Sequence, residues 1–482
     1  MSAVTGPGPT GAEVREALAE AAAWVSGYLE SVGDRPVLSQ VSPGDIAARL
    51  PERAPDRGEP FDAILGDLDG LILPGITHWN HPAFFAYFGI TGSGPGIVGE
   101  LIASALNVNA MLWRTSPAAT ELEQRTLAWV LDMLGLPAGW FGEILDTASS
   151  STMAALAAAR EASGLDIRRR GMAGRADLPP LRVYTSAEAH SSIEKACIAL
   201  GIGQEGLEKI PTDDALRMRA DLLGEAVERD LAAGVRPIAV VATVGTTSTT
   251  SVDPVPEIAA VCRRHGLWLH VDAAYGGAAG LLESHRHLLA GCEHADSLVF
   301  NPHKWMFTPV DCSLLYTSRP DVLREAFALV PFYLTTTESD VVNLMDYGLA
   351  LGRRFRALKL WMVIRAYGRE GLAELVGGHI ESAGRLAMAV QAEPGWELMA
   401  PVPLSTVCFR AHPAGVDDEA ELERLNTELV EAVNRSGVAF VSHTKVGGRY
   451  AIRIAIGNAA SRWEHVERAW TALREAIGLR EG

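Results

Sequence analysis

No stretch of this 482-residue chain reaches the roughly 18 uninterrupted apolar residues that a membrane-spanning helix needs. The opening MSAVTGPGPT lacks a basic start and an apolar core, so it does not read as a secretory signal. Cysteine is scarce. Cys197, Cys262, Cys292, Cys312 and Cys408 are scattered and odd in number, which argues against a disulfide framework and fits a reducing cytoplasm. Positive charge is in deficit, 42 Lys and Arg against 59 Asp and Glu, for a formal net charge of −17. No basic run is long enough for a nucleic-acid face; Arg168–Arg170 reads as a solvated turn in a polar loop. The remainder, 48% apolar and 21% charged, is ordinary for a soluble protein with a large core, and the length suggests two or three domains.

Residues 11–32 carry apolar side chains at helical spacing, and a second helix is expected over Pro43–Leu50 behind a Ser42 cap. Helical sequence continues through FDAILGDLDGLIL, followed by the aromatic, proline-bounded THWNHPAFFAYF. Beyond about residue 94, near-continuous apolar runs alternate with helix-like sequence: LRVYTS (181–186), PIAVVATVG (237–245), LWLHVD (267–272) and SLVFN (297–301). Such runs predict an α/β fold with a mostly parallel sheet covered on both faces. Ligands of these sheets bind beyond the carboxyl ends of the strands. From about residue 370 the pattern becomes helix, short strands STVCFRA and RYAIRIAIG, and a helix from about Ser461. The expected division is a helical N-terminal segment over 1–93, a large domain over 94–368 and a small α+β domain over 369–482.

Two motifs are set aside. Gly201–Gly206 matches G-x-G-x-x-G but follows helical sequence and precedes a polar segment, so it reads as a loop and not a dinucleotide turn. His285, His287, Cys292 and His294 lack the paired spacing of structural zinc sites, and no metal is expected.

The chemistry-bearing residues fall at predicted strand ends. Lys304, in NPHKW, follows the apolar run SLVF; desolvation there lowers a lysine's pKa and frees a nucleophilic amine, although a snorkelling lysine would share the position. Asp272 ends LWLHVD, either as a local cap or as the counter-ion of a pyridinium nitrogen. Ala273 and Ala274 behind it are small enough to let a flat ring approach. Thr147, Ala148 and Ser149 open the helix around MAALAAAR, either as an ordinary capped start or as an anion site. His190 follows LRVYTS, either as a structural loop histidine or stacked on a planar cofactor.

Taken together, THWNHPAFFAYF, SPAATELE (116–123), AHSS (189–192), HVDAAYGG (270–277), NPHKW (301–305) and LGRRFRALKLW (351–361) identify a resemblance over nearly the whole chain. The chain resembles the group II pyridoxal-phosphate (PLP) decarboxylases, and within them the aromatic-L-amino-acid decarboxylases. The resemblance implies the type I aminotransferase-like fold, an obligate homodimer with sites at the interface, and pyridoxal 5′-phosphate as cofactor. It implies that Lys304 carries the cofactor as a Schiff base, Asp272 pairs with the ring nitrogen and His190 stacks on the ring. Ala148, Ser149, Asn301 and His303 would surround the phosphate, with Thr147, Thr247 and Ala274 beside the cofactor. Tyr333, in VPFYL, matches the loop tyrosine that protonates Cα after carbon dioxide leaves.

The chain also departs from the family. Phe88-Gly89-Ile90 stands where the family has FPT, and the stretch from Tyr333 to Gly352 is shorter than in the animal enzymes. Arg114 replaces a small residue of the animal enzymes and is expected in a structural ion pair, the alternative being contact with an acidic substrate. Trp79, Tyr87 and Phe88 are candidates for a flat substrate pocket, with Met111 reaching across the dimer. Gly352 occupies a position that tends to be glycine in indole-using plant relatives and serine in phenol users. With Ile90 in place of a hydroxyl, this favours tryptophan, with phenylalanine, tyrosine and dopa as further substrates. The competing readings are aldehyde formation, transamination, decarboxylation of an acidic amino acid, or a non-catalytic binding protein. Aldehyde-forming relatives replace the loop tyrosine or the stacking histidine, and this chain keeps both.

Overall fold

Trp268–Asp272 is buried at all five positions, so both of its faces need cover. It is β5 of a seven-stranded sheet in the computed structural model, which describes residues 10–329, 338 and 340–478. The other strands are β1 (Phe141–Leu145), β2 (Leu181–Ser186), β3 (Leu207–Ile210), β4 (Arg236–Thr243), β6 (Ser297–Phe300) and β7 (Ser313–Thr317). Their order is β1-β7-β6-β5-β4-β2-β3. All neighbours from β6 to β3 pair in parallel, whereas β7 runs antiparallel to both β6 and β1. The predicted fold class therefore holds. The four apolar runs named above appear as β2, β4, β5 and β6, and the antiparallel β7 was not among them.

Because β1 is antiparallel to the antiparallel β7, it runs with the parallel set. The carboxyl ends of β1, β2, β4, β5 and β6 thus open on one edge of the sheet. The turns after β4 and β5 touch there: Gly245 has φ +89°, and a Cβ on Gly276 would lie 2.4 Å from the Val244 carbonyl oxygen. Only glycine lets these two loops approach so closely.

The second sheet is antiparallel, in the order β10-β11-β9-β8: β8 (Trp396–Leu398), β9 (Thr406–Ala411), β10 (Ser442–Val446) and β11 (Arg449–Ala455). Its core also takes in Val37 and Ala83–Ala86. The Phe85 amide donates to the Phe440 carbonyl at 2.8 Å, and the Ala455 amide donates to the Phe85 carbonyl at 2.9 Å. Residues from the N-terminal quarter are thereby hydrogen-bonded against the C-terminal sheet.

The N-terminal helix, Gly11–Ser31, forms with Thr10 as its cap. The helix expected over Pro43–Leu50 does not. Gly44 adopts φ +99°, the Ser42 amide is bound by Asp45 instead of Ser42 capping a helix, and only the short 3-10 turn Ala47–Arg49 results. Arg168–Arg170 lie in a one-turn helix, Ile167–Arg170, instead of a loop. No helix among the described residues is long and apolar enough to cross a membrane.

Candidate active site

Lys304 leaves β6 through the one-turn helix Pro302–Trp305. Its Nζ lies 5.4 Å from the centre of the Phe88 ring. Burial lowers its pKa, Asp272 opposes the shift, and Arg453 adds to it. An amine with a lowered pKa gives up its proton more readily near neutral pH and is the better nucleophile. Asp272 is 6% exposed at the end of β5, and its Oδ1 accepts from the Ala274 amide at 3.0 Å. Ala273 and Ala274 are both buried behind it.

His190 lies beyond β2, an exposed residue whose ring is part-buried at Nδ1. Its Nδ1 accepts from the Ser192 amide at 3.2 Å and faces the Ser192 hydroxyl at 2.9 Å, so the neutral ring carries its proton on Nε2. Burial and Lys304 lower its pKa while Asp272 raises it. His190, Lys304 and Asp272 therefore share one electrostatic neighbourhood.

The helix Ala148–Ala162 points its N-terminus at the same edge, and the Thr147 side chain does not cap it. Its first internal bond is Ser151 amide to Thr147 carbonyl, which leaves the amides of Ala148, Ser149 and Ser150 for an anion. Asn301 is buried, and its Oδ1 accepts from Ser313 Oγ at 2.7 Å. The His303 Nδ1 accepts from the Cys312 amide at 2.9 Å, and burial brings this ring down to about 4. Neutral His303 thus bears its proton on Nε2, as a donor. Thr247 is exposed on the turn after β4.

Arg453 was missed in the sequence. It sits in β11, 3% exposed, with its guanidinium 4.7 Å from the Phe88 ring centre. Nε donates to the Ser248 carbonyl at 2.9 Å and Nη1 to that of Tyr87, whereas Nη2 is buried with no hydrogen-bond partner among the described residues. The available signal was a charge inside an otherwise apolar run, RYAIRIAIG. A buried guanidinium short of one partner, beside a lysine, is a ready receptor for a carboxylate.

The expected substrate residues divide. Phe88 is 9% exposed and stacks on Tyr275 at 3.8 Å, next to Lys304. Trp79 and Tyr87 stack on each other at 6.0 Å and are 36% and 56% exposed. Met111 and Gly352 belong to another group around Asn109, whose Nδ2 contacts the Met111 sulfur at 3.3 Å and would lie 3.9 Å from a Cβ on Gly352. Tyr333 lies outside the described residues. Arg114 is exposed and forms no ion pair among the described residues, so the structural pair expected for it is absent.

Beside Gly352, Arg353 is buried with Glu123 at 2.8 Å and Glu143 at 3.8 Å. Glu143 lines a cavity of about 260 Å³, and both its carboxylate oxygens lack hydrogen bonds among the described residues. Burial outweighs Arg353 and pushes its carboxyl up to about 7. A carboxyl raised on folding stabilises the protein fully below the unfolded value of about 4.5 and loses that contribution as pH rises through about 7. Unfolding free energies of wild type and Glu143→Gln, compared from pH 4.5 to 8, should diverge by roughly 3 kcal/mol, with wild type falling relative to the variant. Parallel curves would show that Glu143 titrates normally.

A family model described as the pyridoxal-dependent decarboxylase conserved domain matches residues 43–412. A phenylacetaldehyde synthase of Arabidopsis thaliana is 40% identical over 463 residues, covering 94% of this chain and 93% of the relative. A tryptophan decarboxylase of Camptotheca acuminata is 39% identical, covering 94% and 92%. The crystal structure of Oryza sativa TDC with PLP and tryptamine superposes with a TM-score of 0.95 at 37% identity, covering 99% of this chain and all of that one.

Proposed function

Because this chain belongs to the pyridoxal-dependent decarboxylase family and takes pyridoxal phosphate as its cofactor, we propose that it converts an aromatic L-amino acid, tryptophan foremost, to the amine and carbon dioxide. The observation that carries this is the Lys304 amine, its pKa lowered by burial and subject to the charges of Asp272 and of Arg453, whose buried Nη2 has no hydrogen-bond partner among the described residues. The residues fit the cofactor: an amine for its aldehyde, a buried carboxylate for its ring nitrogen and a helix N-terminus with free amides for its phosphate.

When bound, the cofactor supplies an electron sink for the pair left by the departing carboxylate. Asp272, kept aimed by its bond to the Ala274 amide, would hold a proton on the ring nitrogen. His190, oriented by Ser192, would cover the ring. The amides of Ala148 and Ser149, with Asn301 and the Nε2–H of His303, would hold the phosphate. Thr147, Thr247 and Ala274 would border the cofactor. Arg453 Nη2 receives the substrate carboxylate and orients it. Tyr333 delivers the proton that replaces carbon dioxide at Cα.

The protein acts as a cytoplasmic homodimer in this reading. The helix Gly11–Ser31 buries none of its residues in one chain, leaving Val14 and Leu18 exposed, and the helix Gly94–Leu106 exposes Val98, Leu101, Ile102 and Leu106. Two apolar helix faces without cover fit a large subunit interface. A second copy would also cover Trp79 and Tyr87 and bring Met111 and Gly352 to its partner's substrate.

The test is an amine-release screen over the common amino acids plus dopa and 5-hydroxytryptophan, with Gly352→Ser alongside. Tryptophan should give the highest kcat/KM. Serine at 352 fits without a clash in one chain, and it should shift the indole-to-phenol ratio by roughly tenfold toward phenols. Preference for glutamate would overturn the aromatic reading and implicate Arg114. A second reading, aldehyde formation, follows from the likeness to the phenylacetaldehyde synthase. Aldehyde and peroxide in place of amine would establish it, and retention of Tyr333 and His190 weighs against it.

A further inference from the structure

Four rings form a buried column beneath the Lys304 amine. Phe88 stacks on Tyr275 at 3.8 Å, and Tyr275 on Trp305 at 4.6 Å with the planes parallel. Trp305 lies 6.4 Å from His379 at an interplanar angle of 14°. The top of the column carries the charged groups, Lys304 at 5.4 Å and Arg453 at 4.7 Å from the Phe88 ring centre. Its middle is tied to the small sheet, where the Tyr275 hydroxyl meets Ser405 Oγ and the Ile456 carbonyl. Its base is a single directional bond: Trp305 Nε1 donates to His379 Nδ1 at 3.0 Å. Trp305 is fully buried and His379 is 2% exposed.

That bond dictates the state of His379. Burial brings its pKa down to about 4, so the ring is neutral at physiological pH. With Nδ1 accepting from the indole, its one proton sits on Nε2, which lies near the Asn458 backbone without a well-formed hydrogen bond. His379 belongs to the long helix Arg356–Ala392, beyond the break at Gly368, and none of the motifs read in the sequence includes it. Packing alone would accept any residue of its volume, whereas the indole N–H requires an acceptor.

We propose that His379 is a positioning residue for Lys304. Its Nδ1 fixes the orientation of Trp305, the residue next to Lys304 in the same one-turn helix. Trp305 in turn supports Tyr275 and Phe88, the ring that faces the amine. This inference rests on the role proposed above for Lys304. Without the acceptor, Trp305 is left with a buried, unpaired donor and re-tilts, moving the Lys304 backbone and the ring under its amine together. Displacements on the 1 Å scale at a reacting group are enough to cost about a hundredfold in rate.

The experiment uses the full-length holoenzyme and compares His379→Leu, His379→Asn and Trp305→Phe. Asparagine returns an acceptor near the former Nδ1, and phenylalanine at 305 removes the donor while keeping a ring. His379→Leu should lower kcat by about tenfold or more with KM changed less than about threefold, and shift the pH midpoint of the visible cofactor band. Trp305→Phe should do the same, the double variant should be no worse than either single one, and His379→Asn should recover most of the loss. Long-range 1H–15N correlation in wild type should show His379 as the Nε2–H tautomer. Additive losses in the double variant, no rescue by asparagine, or an Nδ1–H tautomer would each overturn the proposal. If leucine fails to fold, Trp305→Phe and the tautomer decide. A visible cofactor band that survives in Lys304→Ala would fault the role of Lys304 alone, and the wild-type tautomer would still test the contact.

Discussion

Lys304→Ala is expected to abolish amine release, with kcat lower by on the order of 10⁴- to 10⁶-fold, the range seen when a covalent catalytic group is removed. The amine feels the charges of both Asp272 and Arg453. Lys304→Arg should lose as much. Arginine keeps the positive charge and much of the length, but it stays protonated at any working pH and leaves no free electron pair for the aldehyde. The pair of variants separates a covalent role from a purely electrostatic one. Borohydride reduction followed by peptide mapping gives the direct check: the label should fall on Lys304 in wild type and be absent from both variants. Label on another lysine would refute the assignment.

Asp272→Asn should lower kcat by roughly 10³-fold, comparable to removing one preorganised electrostatic partner of a transition state. The substitution is nearly isosteric. An asparagine carbonyl oxygen can still accept from the Ala274 amide, so the turn after β5 is kept and only the charge is lost. Thermal stability should therefore change little while turnover collapses. A second consequence has a definite sign. Asp272 opposes the lowering of the Lys304 pKa, so its neutralisation should move the titration of the cofactor-free Lys304 amine to still lower pH. Near wild-type turnover with bound cofactor would show that another group serves the ring nitrogen.

The parts of the molecule that could be read in the sequence are those where burial leaves a one-dimensional trace. β2, β4, β5 and β6 are covered on both faces and appear as continuous apolar runs. Asp272 and Lys304 interrupt or follow such runs, so an ionisable group there draws attention. The antiparallel β7 is equally apolar, and its direction depends on pairing that local sequence does not encode. Arg453 escaped notice because the local sequence of β11 does not show that its guanidinium is covered. Its burial follows from the Phe88 ring and the Ser248 and Tyr87 carbonyls, all distant in sequence. Pro43–Leu50 failed for a local reason, a left-handed Gly44 that helical spacing alone does not reveal. Met111 and Gly352 await the second subunit in the proposed dimer, whose contacts lie beyond any one chain.

The hydrogen bonding of Phe85 to the far end of the chain also sets a schedule for synthesis. Tyr87 and its partner Ser442 are 355 residues apart. At roughly 5–20 residues per second, a ribosome needs about 20–70 s to supply the partner strands after residues 83–86 have emerged. Throughout that interval Phe84 and Phe85, both almost fully buried in the finished protein, lack the cover that the C-terminal sheet and its helices provide. Arg453 is made later still. Cofactor added to a nascent chain would therefore find its phosphate cradle and lysine translated before the guanidinium that completes the site, making the small sheet the last gate to activity. Truncation within the final strand should yield chains that engage chaperones through the 83–86 segment.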